Sequence, residues 1–215
     1  MAEAENPLRG TVAEGIVRPM SADYKTSIRR ARPADAAALA ALAARTFRDT
    51  YEAFNTPQDL AAHLADHFTP EHQARELADP AWDTLVAEST DGALVAYAQL
   101  CDRRAPSCVT APAPRELARL YVDREHHGTG LAHRLMDATL ACADEQGAST
   151  VWLGVWEENP RARAFYTKMG FEDVGEHIFV FGNDPQRDRV LVRPTRGATR
   201  PVDQPSTSTG PSEYY

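Results

Sequence analysis

The stretch Arg115 to Ala132, RELARLYVDREHHGTGLA, constrains the chain more than any other. Glu116 to Val122 has the leucine, aromatic and β-branched content of a half-buried strand, and a polar turn follows at once. Beyond Gly128-Thr129-Gly130, the apolar residues Leu131, Leu135, Ala138 and Cys142 recur at helical spacing, so a strand feeds a glycine-rich loop that feeds a helix. First-turn N–H groups of a helix lack internal partners, and with the helix dipole they attract phosphate. The loop is therefore a candidate phosphate cradle. The competing reading is a tight turn whose glycines only supply positive φ.

Spacing separates the known cradles. A Walker loop needs GxxxxGK and then Ser or Thr, whereas Gly130 is followed by Leu-Ala-His-Arg with no lysine. A dinucleotide fingerprint needs a small residue three places after its second glycine, and that place holds His133. What remains is GxG followed two places later by the small Ala132.

With 215 residues, 43% hydrophobic and 25% charged, the chain has the make-up of one globular domain with tails. No apolar run approaches the ~20 residues that span a membrane. The start, MAEAENPLRG, lacks a signal-peptide pattern, so a cytoplasmic protein is expected. A net charge of −8 disfavours nucleic acid and anionic membranes as partners. Cys101, Cys108 and Cys142 form no CxxC pair and suit reduced thiols. His63 and His67 stand at i, i+4, but Leu64 replaces the glutamate of a zinc-protease helix, so a solvated helix face and no metal are expected.

In chain order, residues 1–25 read as a flexible arm and Thr26 to Ala31 as a short strand. Helices are expected over Pro33 to Thr50, Pro57 to Phe68 and Pro70 to Pro80. Trp82–Glu88 and Leu94–Asp102 read as a hairpin about Asp91-Gly92, and Arg103 to Pro114 as a loop. The helix after the glycine loop should end near Gln146 with Gly147 as its C-cap. Thr150 to Glu157, TVWLGVWE, reads as a strand buried on both faces. Asn159-Pro160 opens a short helix stopped by Gly170. Phe171–Phe181 and Arg189–Val192 make a last hairpin about Gly182-Asn183-Asp184-Pro185, and from Pro194 the composition predicts a disordered tail. The order implies one mixed α/β layer fold with a central sheet over residues 26–193.

Arg115 to Met136 resembles the strand, loop and helix of the GNAT acetyltransferase cofactor site, with His127 where that family has Gln or Arg. VWLGVWEENPRARAFYTKMGF, Val151 to Phe171, resembles the family's next strand and helix. Gly175 to Asp188 and Thr46 to Pro57 are similar to its PaiA-like branch, whose members acetylate polyamines. The resemblance implies a GNAT-like mixed sheet with splayed strands and helices on both faces, with acetyl-CoA as co-substrate and a small-molecule amine as partner, in a monomer or homodimer.

It also implies roles. Glu116 stands where the family often keeps a general base, and Tyr166 where it keeps the acid that meets the leaving thiolate. Main-chain N–H groups of Leu120, Tyr121 and Val122 would hold the thioester carbonyl and pantetheine arm. Those of Gly128, Thr129, Gly130, Leu131 and Ala132 would hold the diphosphate, and His127, in the place of the family's Gln or Arg, is a further cofactor contact. Asn159 matches a CoA-contacting asparagine, and Arg124, His126, Arg134 and Lys168 are candidates near the 3′-phosphate. Asp49, Tyr51, Glu52 and Phe54 could hold a cationic acceptor. An N-acetyltransferase of a small amine is the first reading; a non-catalytic acyl-CoA-binding module and a peptide or protein N-terminal acetyltransferase remain open.

Overall fold

The computed structural model describes residues 26–181 and 184–197. The expected arm, residues 1–25, lies outside them. Among the described residues seven strands form one sheet, in the order β1 (Ser27–Arg30), β2 (Trp82–Glu88), β3 (Leu94–Cys101), β4 (Pro114–Val122), β5 (Thr150–Trp156), β7 (Asp184–Pro194) and β6 (Glu172–Phe181). Every pairing is antiparallel except β4 with β5.

Helices cover both faces. On one lie α1 (Ala36–Tyr51), α2 (Pro57–His67) and α3 (Pro70–Ala78), whose Leu39, Leu42, Phe47 and Leu60 pack with Phe68 on Val86 and Tyr97 of the sheet. On the other lie α4 (Leu131–Glu145) and α5 (Pro160–Lys168), with Leu135 and Met136 against Leu100, Leu117, Val151 and Leu153. Each of these large apolar side chains stabilises the fold by roughly 1.5–3 kcal/mol.

Helix starts follow a repeated local rule. Thr56-Pro57, Thr69-Pro70 and Asn159-Pro160 each place a capping side chain before a proline at the first helical position, and the caps accept from Asp59, His72 and Ala162 N–H groups. Gly147, at φ 76°, ends α4 as expected.

Two boundaries differ from expectation. β7 begins at Asp184 rather than Arg189, because its polar start needs no apolar face: β5 pairs only with residues 188–194, so from Asp184 to Arg187 the strand is held by β6 alone. Pro185 is tolerated there, where β7 has a single neighbour and a missing N–H leaves no second ladder unpaired. At the other end Pro194 belongs to β7, and buried Thr195 donates from Oγ1 to the Ala148 carbonyl, so packing runs past the predicted start of the tail. Residues 198–215 lie outside the described part.

One buried polar network ties α3 to the sheet. Arg119 of β4 donates to Glu76 Oε2 at 2.6 Å and to Gln99 Oε1 at 2.7 Å, while Gln99 Nε2 returns to Glu76 at 3.0 Å. Removing one partner strands the other's charge. Glu76→Ala should therefore cost about 3–5 kcal/mol in urea unfolding, with Glu76→Gln costing less; a loss for Glu76→Ala below about 1 kcal/mol would show that water replaces the carboxylate.

Candidate active site

β4 and β5 are hydrogen-bonded only over Pro114–Glu116 and Thr150–Trp152. Past that point, among the described residues, β4 pairs with β3 alone, and its second edge opens on a cavity of about 1030 Å³. In an antiparallel pair, N–H groups alternate between the partner and the free side. Asp123 N donates to Val95 O, so the N–H of Tyr121 turns the same way, into β3, and those of Leu120 and Val122 face the gap. Tyr121 thus departs from its expected part as a main-chain donor. Its side chain instead stacks on Tyr97, with ring centroids 5.7 Å apart.

The glycine loop borders the same cavity. Gly128 and Gly130 adopt φ 76° and 84°, a region open to glycine at no steric cost, and Gly130 is the N-cap of α4. Thr129 Oγ1 donates to His126 O at 2.7 Å and accepts from Leu131 N at 3.3 Å, which fixes the turn. Among the described residues, Gly128, Thr129, Gly130 and Ala132 N–H groups take no main-chain partner, as a diphosphate cradle requires. His127 lines the cavity, and its Nε2 donates to Val122 O at 2.9 Å, which ties the loop to the open edge of β4.

The other cofactor candidates divide. Arg124 lines the cavity. Arg134 is engaged elsewhere, donating to Thr26 Oγ1 at 3.1 Å and Thr26 O at 2.7 Å. Lys168 is exposed at the end of α5 and outside the cavity wall. Asn159 lines the cavity and also caps α5 through its Oδ1. Donors on β4, free N–H groups in the loop and a continuous cavity between them suit a long, anionic thioester such as acetyl-CoA.

Glu116 and Tyr166 both line this cavity. Glu116 Oε2 lies 3.5 Å from Cys101 Sγ, and Oε1 lies 3.5 Å from Arg103. Burial, then the Glu116 charge, pushes the Cys101 thiol up to about 12. Burial also raises the Tyr166 phenol well above its ordinary range, with Tyr51 adding to the shift. Tyr51 in turn interacts with Tyr121, so hydroxyls from α1, β4 and α5 converge at the gap.

On the acceptor side Asp49, Tyr51 and Phe54 line the cavity, whereas Glu52 points to solvent outside it. Glu52 follows the last residue of α1, where the helix turns its face away. His63 and His67 also line the cavity rather than a solvated face: the His63 ring stacks 4.7 Å from Phe47, and burial, with the charges of His67 and Arg119, lowers it to about 4. Trp152, Gly154, His177 and Asp188 complete the wall and carried no role in the sequence reading. The lone glycine in TVWLGVWE was the available signal, since a strand glycine marks a close approach.

The model of the Acetyltransferase (GNAT) family matches residues 44–171. The chain belongs to the GNAT acetyltransferase family. It is similar to an uncharacterized N-acetyltransferase of Mycobacterium tuberculosis, 38% identical over 162 residues that cover 74% of this chain and 97% of the relative. Another, from Lactobacillus delbrueckii subsp. lactis, is 31% identical over 71% of this chain and 88% of its own length. Among solved structures, the PaiA N-acetyltransferase of Thermoplasma acidophilum in complex with coenzyme A shares the fold at TM-score 0.65 and 18% identity, over 79% of this chain and 98% of that one. The splayed mixed sheet with helices on both faces is the GNAT fold, and the protein is an acetyl-CoA-dependent acetyltransferase.

Nothing lies within 4 Å of a Cβ built on Gly130, so only its φ resists substitution. Gly130→Ala should cost about 1–2 kcal/mol and, by turning the loop N–H groups, weaken coenzyme A binding about tenfold in calorimetry. Unchanged affinity would remove the loop from the binding site.

Proposed function

We propose that the protein N-acetylates the primary amine of a small molecule by direct transfer within a ternary complex. The observation that carries this reading is the single cavity that runs from the glycine loop, past the unpaired edge of β4, to the acidic and aromatic wall made by α1 and β5. Acetyl-CoA supplies an activated acetyl thioester. Leu120 and Val122 N–H groups, fixed by the β3 ladder, hold the thioester oxygen as it gains negative charge, an effect worth about 3 kcal/mol for one such donor. Gly128 to Ala132 hold the diphosphate, with Arg124 at the rim.

An alkylammonium must shed a proton before its nitrogen can attack. Glu116 receives it, directly or through water. Tyr166, kept protonated by burial, donates a hydrogen bond to the departing sulfur. Asp49, Glu116 and Asp188 give the acceptor side carboxylates suited to a cation, and with the PaiA-like similarity they put polyamines first among the acceptors to be tried.

A thiol-release assay with acetyl-CoA against spermidine, spermine, amino acids, aminoglycosides and short peptides tests the reading. Release with at least one small amine is expected, and Glu116→Gln and Tyr166→Phe should each slow kcat about 100-fold while coenzyme A affinity stays within about twofold. Release only with peptides would favour an N-terminal acetyltransferase. Binding of coenzyme A without release from any acceptor would make the chain a binding module.

A further inference from the structure

β5, β6 and β7 set a titratable pair into the acceptor side that the roles above leave unused. Trp156, Asp188 and His177 stand opposite one another across the three strands, on the sheet face that also carries Glu116 and Trp152. His177 Nε2 lies 3.7 Å from Asp188 Oδ2, is buried from solvent and has no hydrogen-bond partner among the described residues. A Cβ on Gly154 would sit 2.7 Å from His177 Nε2 and 3.1 Å from Asp188 Oδ2. The imidazole and carboxylate therefore fill the side-chain place of Gly154. That place is two residues beyond Trp152, the last β5 residue paired with β4. Where the strands part, β5 offers the cavity a histidine and an aspartate in place of a side chain of its own.

The chemistry needs such a pair. Converting R–NH3⁺ to an amide removes two protons from nitrogen. One leaves before the lone pair attacks the thioester carbon. The other leaves the cationic nitrogen of the tetrahedral adduct, as the C–S bond breaks and its electrons go to sulfur. One proton ends on the thiol of coenzyme A and one in solvent. Glu116 can take only one at a time, and Arg103 faces its carboxylate. Imidazole is matched to proton transfer at neutral pH, and a carboxylate behind it steadies the imidazolium that forms. Asp188 is suited to that role because burial raises its carboxyl, with His177 opposing, so its anion is poorly solvated and gains from a cationic neighbour.

We propose that His177, backed by Asp188, accepts one of the two protons shed by the acceptor amine, with Glu116 serving the other. The proposal rests on the N-acetyltransferase reading. Other groups face the pair in ways that leave this role open. Tyr51 of α1 feels the Asp188 charge, and Trp156 of β5 and Gln186 of β7 share the cavity wall. Arg187 and Arg189 of β7 pair with Glu157, Asp173 and Glu176.

The test uses the full chain, saturating acetyl-CoA and the acceptor giving the fastest thiol release. His177→Ala should lower kcat about 100-fold, leave coenzyme A affinity within about twofold, and regain rate with added imidazole, which fits the space left beside Gly154. Asp188→Asn should lower kcat about tenfold and move the acid limb of its pH profile to lower pH, because an imidazolium without its carboxylate holds the proton less tightly. The proposal falls if His177→Ala keeps kcat within about twofold of the parent. It falls equally if the lost rate shows no imidazole rescue and Asp188→Asn leaves the profile in place. Slow Glu116→Gln and Tyr166→Phe variants beside a normal His177→Ala would sink this inference alone, whereas a parent inert toward every acceptor would sink the enzyme reading beneath it.

Discussion

A parallel strand pair that stops hydrogen bonding after three residues is the constraint on which the rest of the structure depends. Backbone N–H and C=O groups inside a sheet are costly to leave unmade, so a strand that loses its neighbour must be offered water, a ligand or a side chain. Here the edge of β4 keeps its order because β3 holds the other side through Val122, and because His127 reaches back to cap the Val122 carbonyl. The remaining donors on that edge, the N–H groups of Leu120 and Val122, are held in fixed directions toward the cavity, as the proposed thioester contact needs.

Side chains pack densely on both flanks of the notch. On the α1 side, Tyr97, Tyr121 and Phe47 fill the space behind β4, and the Arg119, Glu76 and Gln99 network locks the strand to α3. On the β5 side His177 and Asp188 lie against Gly154 and fill the place of a side chain on that strand. At Gly175, the loop after β3 brings Cys108 to where a Cβ would be 2.9 Å away, so that loop packs against β6.

Much of this was legible in the chain because it is local. The cap-proline pairs fix three helix starts, and Gly128-Thr129-Gly130 fixes the loop, through contacts a few residues apart. Arg134 was misread for the opposite reason: its partner is Thr26, 108 positions away, and a basic residue beside a phosphate loop looks the same whichever way it turns. Tyr121 was misread because strand composition shows which residues are in a ladder but not which neighbour each N–H faces; that parity needed the Asp123 to Val95 bond. His177 and Asp188 escaped notice since β6 and β7 are polar and the pair forms only across two strands. Gly154 was the local trace of it, visible yet open to several explanations.

Burial also bears on the direct transfer proposed above. An acyl-enzyme path would need a thiolate within reach of the thioester, and Cys101, beside Glu116, is the cysteine closest to the proposed base. Its thiol is held up at about 12 by burial and by that same carboxylate, so at neutral pH it stays protonated and gives no nucleophile. The carboxylate proposed as the base is thus also one that silences the cysteine next to it. Neutral His63 and protonated Tyr51, Tyr121 and Tyr166 add no charge to the lining. A protonated Cys101 fits the direct transfer proposed above, in which the attacking nitrogen is carried by the acceptor.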